Sequence, residues 1–117
     1  MGVITQTLEE SLDYENGQLR DWYMHNTSHW IGLDVHDVGI YKPNGEPRIF
    51  ESGMCLTVEP GLYFGSWRPD VDCPERYSNI GIRIEDDVLI TDSGPEVLTS
   101  ACPKTIDEIE SIVGKSF

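Results

Sequence analysis

Cysteine is scarce: only Cys55, Cys73 and Cys102 occur in 117 residues, far apart and without a C-x-x-C pair. An odd, widely spaced set builds neither a disulfide framework nor a thiolate zinc site, so a reducing compartment, the cytoplasm, fits best. All three thiols read as small buried or half-buried side chains. Basic residues are few as well, with 8 Lys and Arg against 21 Asp and Glu and a formal net charge of −13. Such a field repels a phosphate backbone and an anionic leaflet, which makes nucleic acid and membrane surfaces poor partners. No run reaches the roughly 18 apolar residues of a spanning helix, and no basic segment precedes an apolar stretch as in a secretory signal. Repeats and low-complexity tracts are absent too. What is present is a globular composition, 38% hydrophobic residues plus 11 glycines, which argues against disorder. The length suits one domain or a piece of a larger one.

The pattern along the chain predicts an α+β fold. Ile4, Leu8 and Leu12 mark one face of a short helix over residues 3–12, and residues 18–24 form a second helical piece beyond Gly17. Residues 24–37 show neither period and read as a loop that enters a strand near residues 31–35. Pro43-Asn44-Gly45 is a turn. Met54, Leu56 and Val58 then alternate with Cys55, Thr57 and Glu59, giving a half-buried strand that Pro60-Gly61 bends or ends. An apolar piece at residues 62–64 and an exposed loop at residues 65–78 follow. Ile80, Ile82 and Ile84 alternate with Gly81, Arg83 and Glu85 in a further strand. Asp86-Asp87 reads as a tight connection into a strand at residues 88–91, and Ser93-Gly94-Pro95 as a turn into a short strand at residues 96–99. Thr105-x-x-Glu108 has the form of a capping box and starts a C-terminal helix.

Chemistry concentrates in three places. All three histidines, His25, His29 and His36, fall within twelve residues, and histidine is the commonest metal ligand. His25 and His29 are four apart, but no Glu follows His25 as in H-E-x-x-H, and the residues between them weaken a helix, which argues against a zinc-protease helix. Asn26-Thr27-Ser28 matches the N-glycosylation pattern, a chance match in a chain without a secretory signal. Glu59 ends an otherwise apolar strand and is held on extended backbone by Pro60. On its own it reads as a solvated strand end. Arg83 and Glu85 stand two apart, about 6–7 Å between Cα atoms, either as an exposed ion-pair face or as a carboxylate held inward by an arginine. Two glutamates with an imidazole make an oxygen-rich set that suits a hard or borderline divalent ion such as manganese.

These segments carry a family resemblance. The run His25-x-x-x-His29-Trp30-x-Gly32-x-Asp34-Val35-His36-Asp37-Val38-Gly39 comes first. Gly53-Met54-x-Leu56-Thr57-Val58-Glu59-Pro60-Gly61-Leu62-Tyr63 and Gly81-Ile82-Arg83-Ile84-Glu85-Asp86-Asp87 follow. In that order they resemble the aminopeptidase P and prolidase family, dinuclear metallopeptidases with the pita-bread fold. The Trp30 form of the first run looks more like aminopeptidase P than prolidase. The resemblance implies hydrolysis that releases an N-terminal residue ahead of proline. It implies His29, Glu59 and Glu85 as metal ligands, Glu85 bridging two ions, both manganese in the complete enzyme. It also implies His25 and His36 as hydrogen-bond donors to substrate, Arg83 as the group orienting the carboxylates, and Glu59 as acceptor of the attacking water's proton. Asp34 and Asp37 fit structural hydrogen bonding at least as well as catalysis.

One departure is large. The family's site takes two further aspartates from strands well upstream of the first histidine run, and here only Asp13 and Asp21 precede His29, neither in an apolar strand pattern. Residues 1–117 therefore look like the C-terminal portion of a pita-bread catalytic domain, with the upstream half absent, inactive alone, in need of that half, and expected to associate with other copies through the apolar face that half would cover. A non-catalytic pita-bread remnant or binding module is the alternative, and prolidase the alternative within the class. Convergence of His29, Glu59 and Glu85 on one point separates enzyme from remnant. The reading expects residues 53–59 and 80–84 in one curved, largely antiparallel sheet, with Glu59, Arg83 and Glu85 on its concave face and the C-terminal helix nearby.

Overall fold

The computed structural model describes residues 3–65 and 70–115. Its elements run in chain order α1 (Leu8–Ser11), α2 (Leu19–Trp22), β1 (Cys55–Val58), β2 (Gly61–Phe64), β3 (Ile80–Arg83), β4 (Asp86–Thr91), β5 (Gly94–Val97) and α3 (Ile106–Ile112). The chain divides into two units, Met1–Thr27 with Glu59–Arg83 and Ser28–Val58 with Ile84–Phe117. Residues 66–69 of the expected loop lie outside the described residues.

In the first unit, the Thr7 hydroxyl accepts from the Glu10 N–H while the Glu10 carboxylate accepts from the Thr7 N–H, a reciprocal cap that starts α1. The helix is shorter than the apolar spacing suggests, and Leu8 and Leu12 stay exposed. Trp22 on α2 is buried and its ring lies 4.9 Å from that of Phe64 on β2. β2 pairs antiparallel with β3, Leu62 opposite Ile82.

In the second unit, β1, β4 and β5 form an antiparallel sheet with β4 central. Asp86 and Asp87, expected as a tight connection, are instead the first residues of β4, opposite Val58 and Thr57. The pairing with β1 extends the strand beyond its apolar run. β5 occupies Gly94–Val97, two residues earlier than expected. The strand expected near residues 31–35 is absent: Trp30 makes an isolated bridge with Leu56 and the chain then bends. At the C-terminus, Thr105 and Glu108 cap α3 reciprocally as the motif predicts, but the helix buries no residue.

Two expectations about faces are corrected. The strands at residues 53–59 and 80–84 belong to two sheets, order β1-β4-β5 and β2-β3, not one. Pro60 lacks an N–H, and the Glu59 N–H is given to the Thr27 carbonyl at 2.7 Å, so the strand breaks there. The buried face of β1 is also not simply the apolar one. Thr57 is 1% and Glu59 7% exposed, whereas Val58 is 41% exposed. Ile82 likewise remains 65% exposed. The three cysteines are free, Cys55 and Cys73 half-buried and Cys102 exposed.

Four carboxylates are held below their ordinary range by hydrogen bonds. Glu10 is lowered first by the Thr7 N–H, Asp13 by the Asn16 N–H, Asp86 by the Thr99 hydroxyl and then Lys104, and Glu108 by the Thr105 N–H. Asp86 and Lys104 are 3.0 Å apart, and Lys104 also donates to the Thr99 and Cys102 carbonyls, tying the last segment to β4. A lowered folded-state pKa contributes stability above the unfolded value, and that contribution is lost as pH falls through the folded one. Thermal scans by circular dichroism should therefore show a flat midpoint between about pH 8 and 5 and a fall below about pH 4. A midpoint that rises on acidification contradicts these assignments.

Candidate metal centre

β1 positions the centre from both edges. On one edge the segment leading to Trp30 runs alongside it, the Ile31 N–H donating to the Cys55 carbonyl and the Thr57 N–H to the His29 carbonyl. On the other edge β4 pairs with β1 as far as Val58 opposite Asp86. Glu59 comes one residue after Val58, and Glu85 one residue before Asp86. Two carboxylates thus stand at the end of a ladder whose opposite edge carries a histidine.

Among the described residues, His29, Glu59 and Glu85 form a group in which each offers one ligand atom, and these atoms all lie within 4.8 Å of one another. His29 is half-buried, Glu59 buried and Glu85 exposed. Ligands on opposite sides of one ion with bonds of about 2.1 Å are about 4.2 Å apart, so the group needs little movement to close on a single ion. Its donors, one imidazole nitrogen and two carboxylates, suit a hard or borderline divalent cation.

The surroundings prepare these groups. His29 Nδ1 lies 3.1 Å from the Trp30 carbonyl oxygen. A carbonyl only accepts, so in this contact Nδ1 carries the proton and Nε2 the lone pair that a metal requires. Arg83 Nη1 donates to Glu59 Oε2 at 3.3 Å. A buried carboxylate is costly without such a partner.

The other residues singled out by sequence fall into place differently. His36 is exposed, with its ring 4.3 Å from that of His29 in an edge arrangement, beside the ligand group but not in it. His25 also lies outside the group: its Nδ1 is 2.7 Å from the Asn26 carbonyl and its Nε2 is 2.8 Å from the Tyr63 hydroxyl. Asp37 is structural, accepting from the Leu33 and Val38 N–H groups and closing the loop after Trp30. Gly32 permits that closure, since a Cβ there would lie 1.6 Å from Asp37 Oδ2. Asp13 accepts from the Glu15 and Asn16 N–H groups and so serves its own turn.

Two residues were not singled out by sequence. Tyr63 holds His25, and Thr57, the most enclosed side chain of β1, accepts the His29 N–H on its hydroxyl at 3.0 Å. The alternation that groups Thr57 with Glu59 was the available signal for the latter.

Comparison with known proteins gives concordant results. The family model described as metallopeptidase family M24 matches residues 1–92. The Xaa-Pro aminopeptidase of Escherichia coli is 54% identical over 113 residues, which cover 97% of this chain and 24% of that protein. The solved structure of E. coli aminopeptidase P with the inhibitor Pro-Leu superposes with a TM-score of 0.68 at 55% identity, covering 79% of this chain and 20% of that one. For Pseudomonas aeruginosa aminopeptidase PepP the TM-score is 0.82 at 44% identity, with 94% and 24% covered. The fold is thus part of the one those enzymes share, and this chain spans about a quarter of the length of the curated relatives it matches.

Proposed function

Because the chain belongs to metallopeptidase family M24, we propose that residues 1–117 are the C-terminal portion of a pita-bread catalytic domain. Its reaction would be that of an Xaa-Pro aminopeptidase, metal-dependent release of an N-terminal residue from peptides with proline in second position. The observation that carries the reading is the convergence of His29, Glu59 and Glu85, which a non-catalytic remnant has no reason to keep.

His29 through Nε2, Glu59 and Glu85 would hold the divalent metal, manganese in this reading, with two aspartates from an upstream segment completing the set. Bound there, the metal lowers the pKa of the attacking water and stabilises charge developing on the peptide carbonyl oxygen. Glu59 would accept a proton from the attacking water, and Arg83, 3.3 Å away, holds the carboxylate in place. His36, exposed beside His29, would donate a hydrogen bond to the substrate, and His25 would do so only by releasing the Asn26 carbonyl or the Tyr63 hydroxyl that now engage its ring nitrogens. β3 leaves Ile80 and Ile82 exposed, an apolar face that favours association between copies or with a further segment. The sparse cysteines support a cytoplasmic setting, and no described helix is long and apolar enough to cross a membrane.

Metal titration tests the reading. With one histidine and two glutamates the chain should take up at most one Mn2+ per chain, weakly, because the second ion's carboxylates are missing. Calorimetry should register that uptake, and His29→Ala should remove it. Uptake unchanged in His29→Ala would overturn the ligand assignment.

A further inference from the structure

We propose that Thr57 is a positioning residue for the His29 ligand. The inference rests on the metal reading above and adds to it the group that sets the histidine. Thr57 grips both polar groups of the His29 backbone. Its N–H donates to the His29 carbonyl at 2.9 Å, and its side-chain hydroxyl accepts from the His29 N–H at 3.0 Å. In an ordinary antiparallel pair the second bond would go to a backbone carbonyl. Here a side chain supplies the acceptor, so the bond depends on residue type, and only serine or threonine offers a hydroxyl on so short a stem.

The position is also enclosed. Thr57 is 1% exposed, so water does not replace the hydroxyl if it is lost. Fixing the His29 N–H and C=O together fixes the Cα–Cβ direction from which the imidazole projects. The Trp30 carbonyl then fixes the ring by accepting from Nδ1. The outcome is a lone pair on Nε2 held in one direction before any ion arrives. Partners that orient a ligand in this way typically change metal affinity about 10–100-fold when removed.

The test compares the full 117-residue chain with Thr57→Val, which keeps the shape and deletes the hydroxyl, and with Thr57→Ser, which restores it. Two readouts are taken, hydrogen exchange of the His29 amide without metal and titration with Co2+ followed by its visible absorption. The expected result is a protected amide in the unaltered chain and in Thr57→Ser and fast exchange in Thr57→Val. Co2+ affinity should fall about 10–100-fold in Thr57→Val and recover in Thr57→Ser. A merely structural role predicts no such rescue confined to the hydroxyl. Equal protection of the amide, or equal Co2+ affinity, in Thr57→Val overturns the proposal. If the unaltered chain takes up no Co2+ while the amide still responds to Thr57→Val, the metal reading fails and the ligand role falls with it, the backbone clasp alone being upheld.

Discussion

Extended upstream to include two aspartate ligands, the protein should hydrolyse X-Pro peptides in the presence of Mn2+, whereas the 117-residue chain should not, even with excess metal. The difference follows from counting donors. Three ligands from this chain support one ion at most, and without the second ion neither the charge on the attacking water nor the developing oxyanion is balanced. In the longer protein His29→Ala or Glu85→Ala should abolish turnover. Arg83→Ala should cost less, about 10–100-fold, because it orients Glu59 without joining the ligand group. Changing Cys73, which is half-buried, whose thiol donates to the Pro74 carbonyl and which is outside the ligand group, should leave turnover unchanged. Steady-state assays on an X-Pro peptide read all four. Turnover by the 117-residue chain that persists in Glu85→Ala would refute both the ligand assignment and the claim that the site is incomplete.

Replacing Trp22 with alanine should be the most damaging single change to folding. Trp22 is 3% exposed, and its ring packs against Phe64, which in turn lies 5.6 Å from Tyr77. Removing a buried tryptophan costs about 3–5 kcal/mol, a large share of the roughly 5–15 kcal/mol that holds a domain together. Loss of the cooperative unfolding transition is the expected outcome. Trp22→Phe should be far milder, since it keeps most of the ring and deletes an indole N–H that is buried without a hydrogen-bond partner among the described residues. Urea titrations of the two variants distinguish these cases, and equal midpoints would show that Trp22 does not hold this part of the chain.

What was legible in the sequence was local. The C-terminal helix was readable because Thr105 and Glu108 cap each other within four residues. The end of β1 was readable because Pro60 cannot donate. What escaped depends on distant partners. Asp86 and Asp87 look like a turn until β1 is laid beside them. Residues 31–35 have strand-forming side chains, yet the Asp37 carboxylate draws the loop back by taking the Leu33 N–H. Alternation separated Thr57 and Glu59 from Leu56 correctly but assigned burial to the apolar set alone. An enclosed polar face reverses that rule for Val58, since the site and not the oil-like side is covered there. The grouping of His29, Glu59 and Glu85 was expected by resemblance, and the fold brings one ligand atom of each within 4.8 Å of the others. Nothing local distinguishes Glu59 from a solvated strand end, and its burial beside Arg83 emerges only from the fold.

A crystal of the chain soaked in Mn2+ and measured at a wavelength where manganese scatters anomalously tests the central claim most directly. The account predicts one anomalous peak about 2.0–2.3 Å from His29 Nε2 and from a carboxylate oxygen of each of Glu59 and Glu85, and its loss in Glu59→Gln crystals. A peak elsewhere, or one that survives in Glu59→Gln, would contradict it.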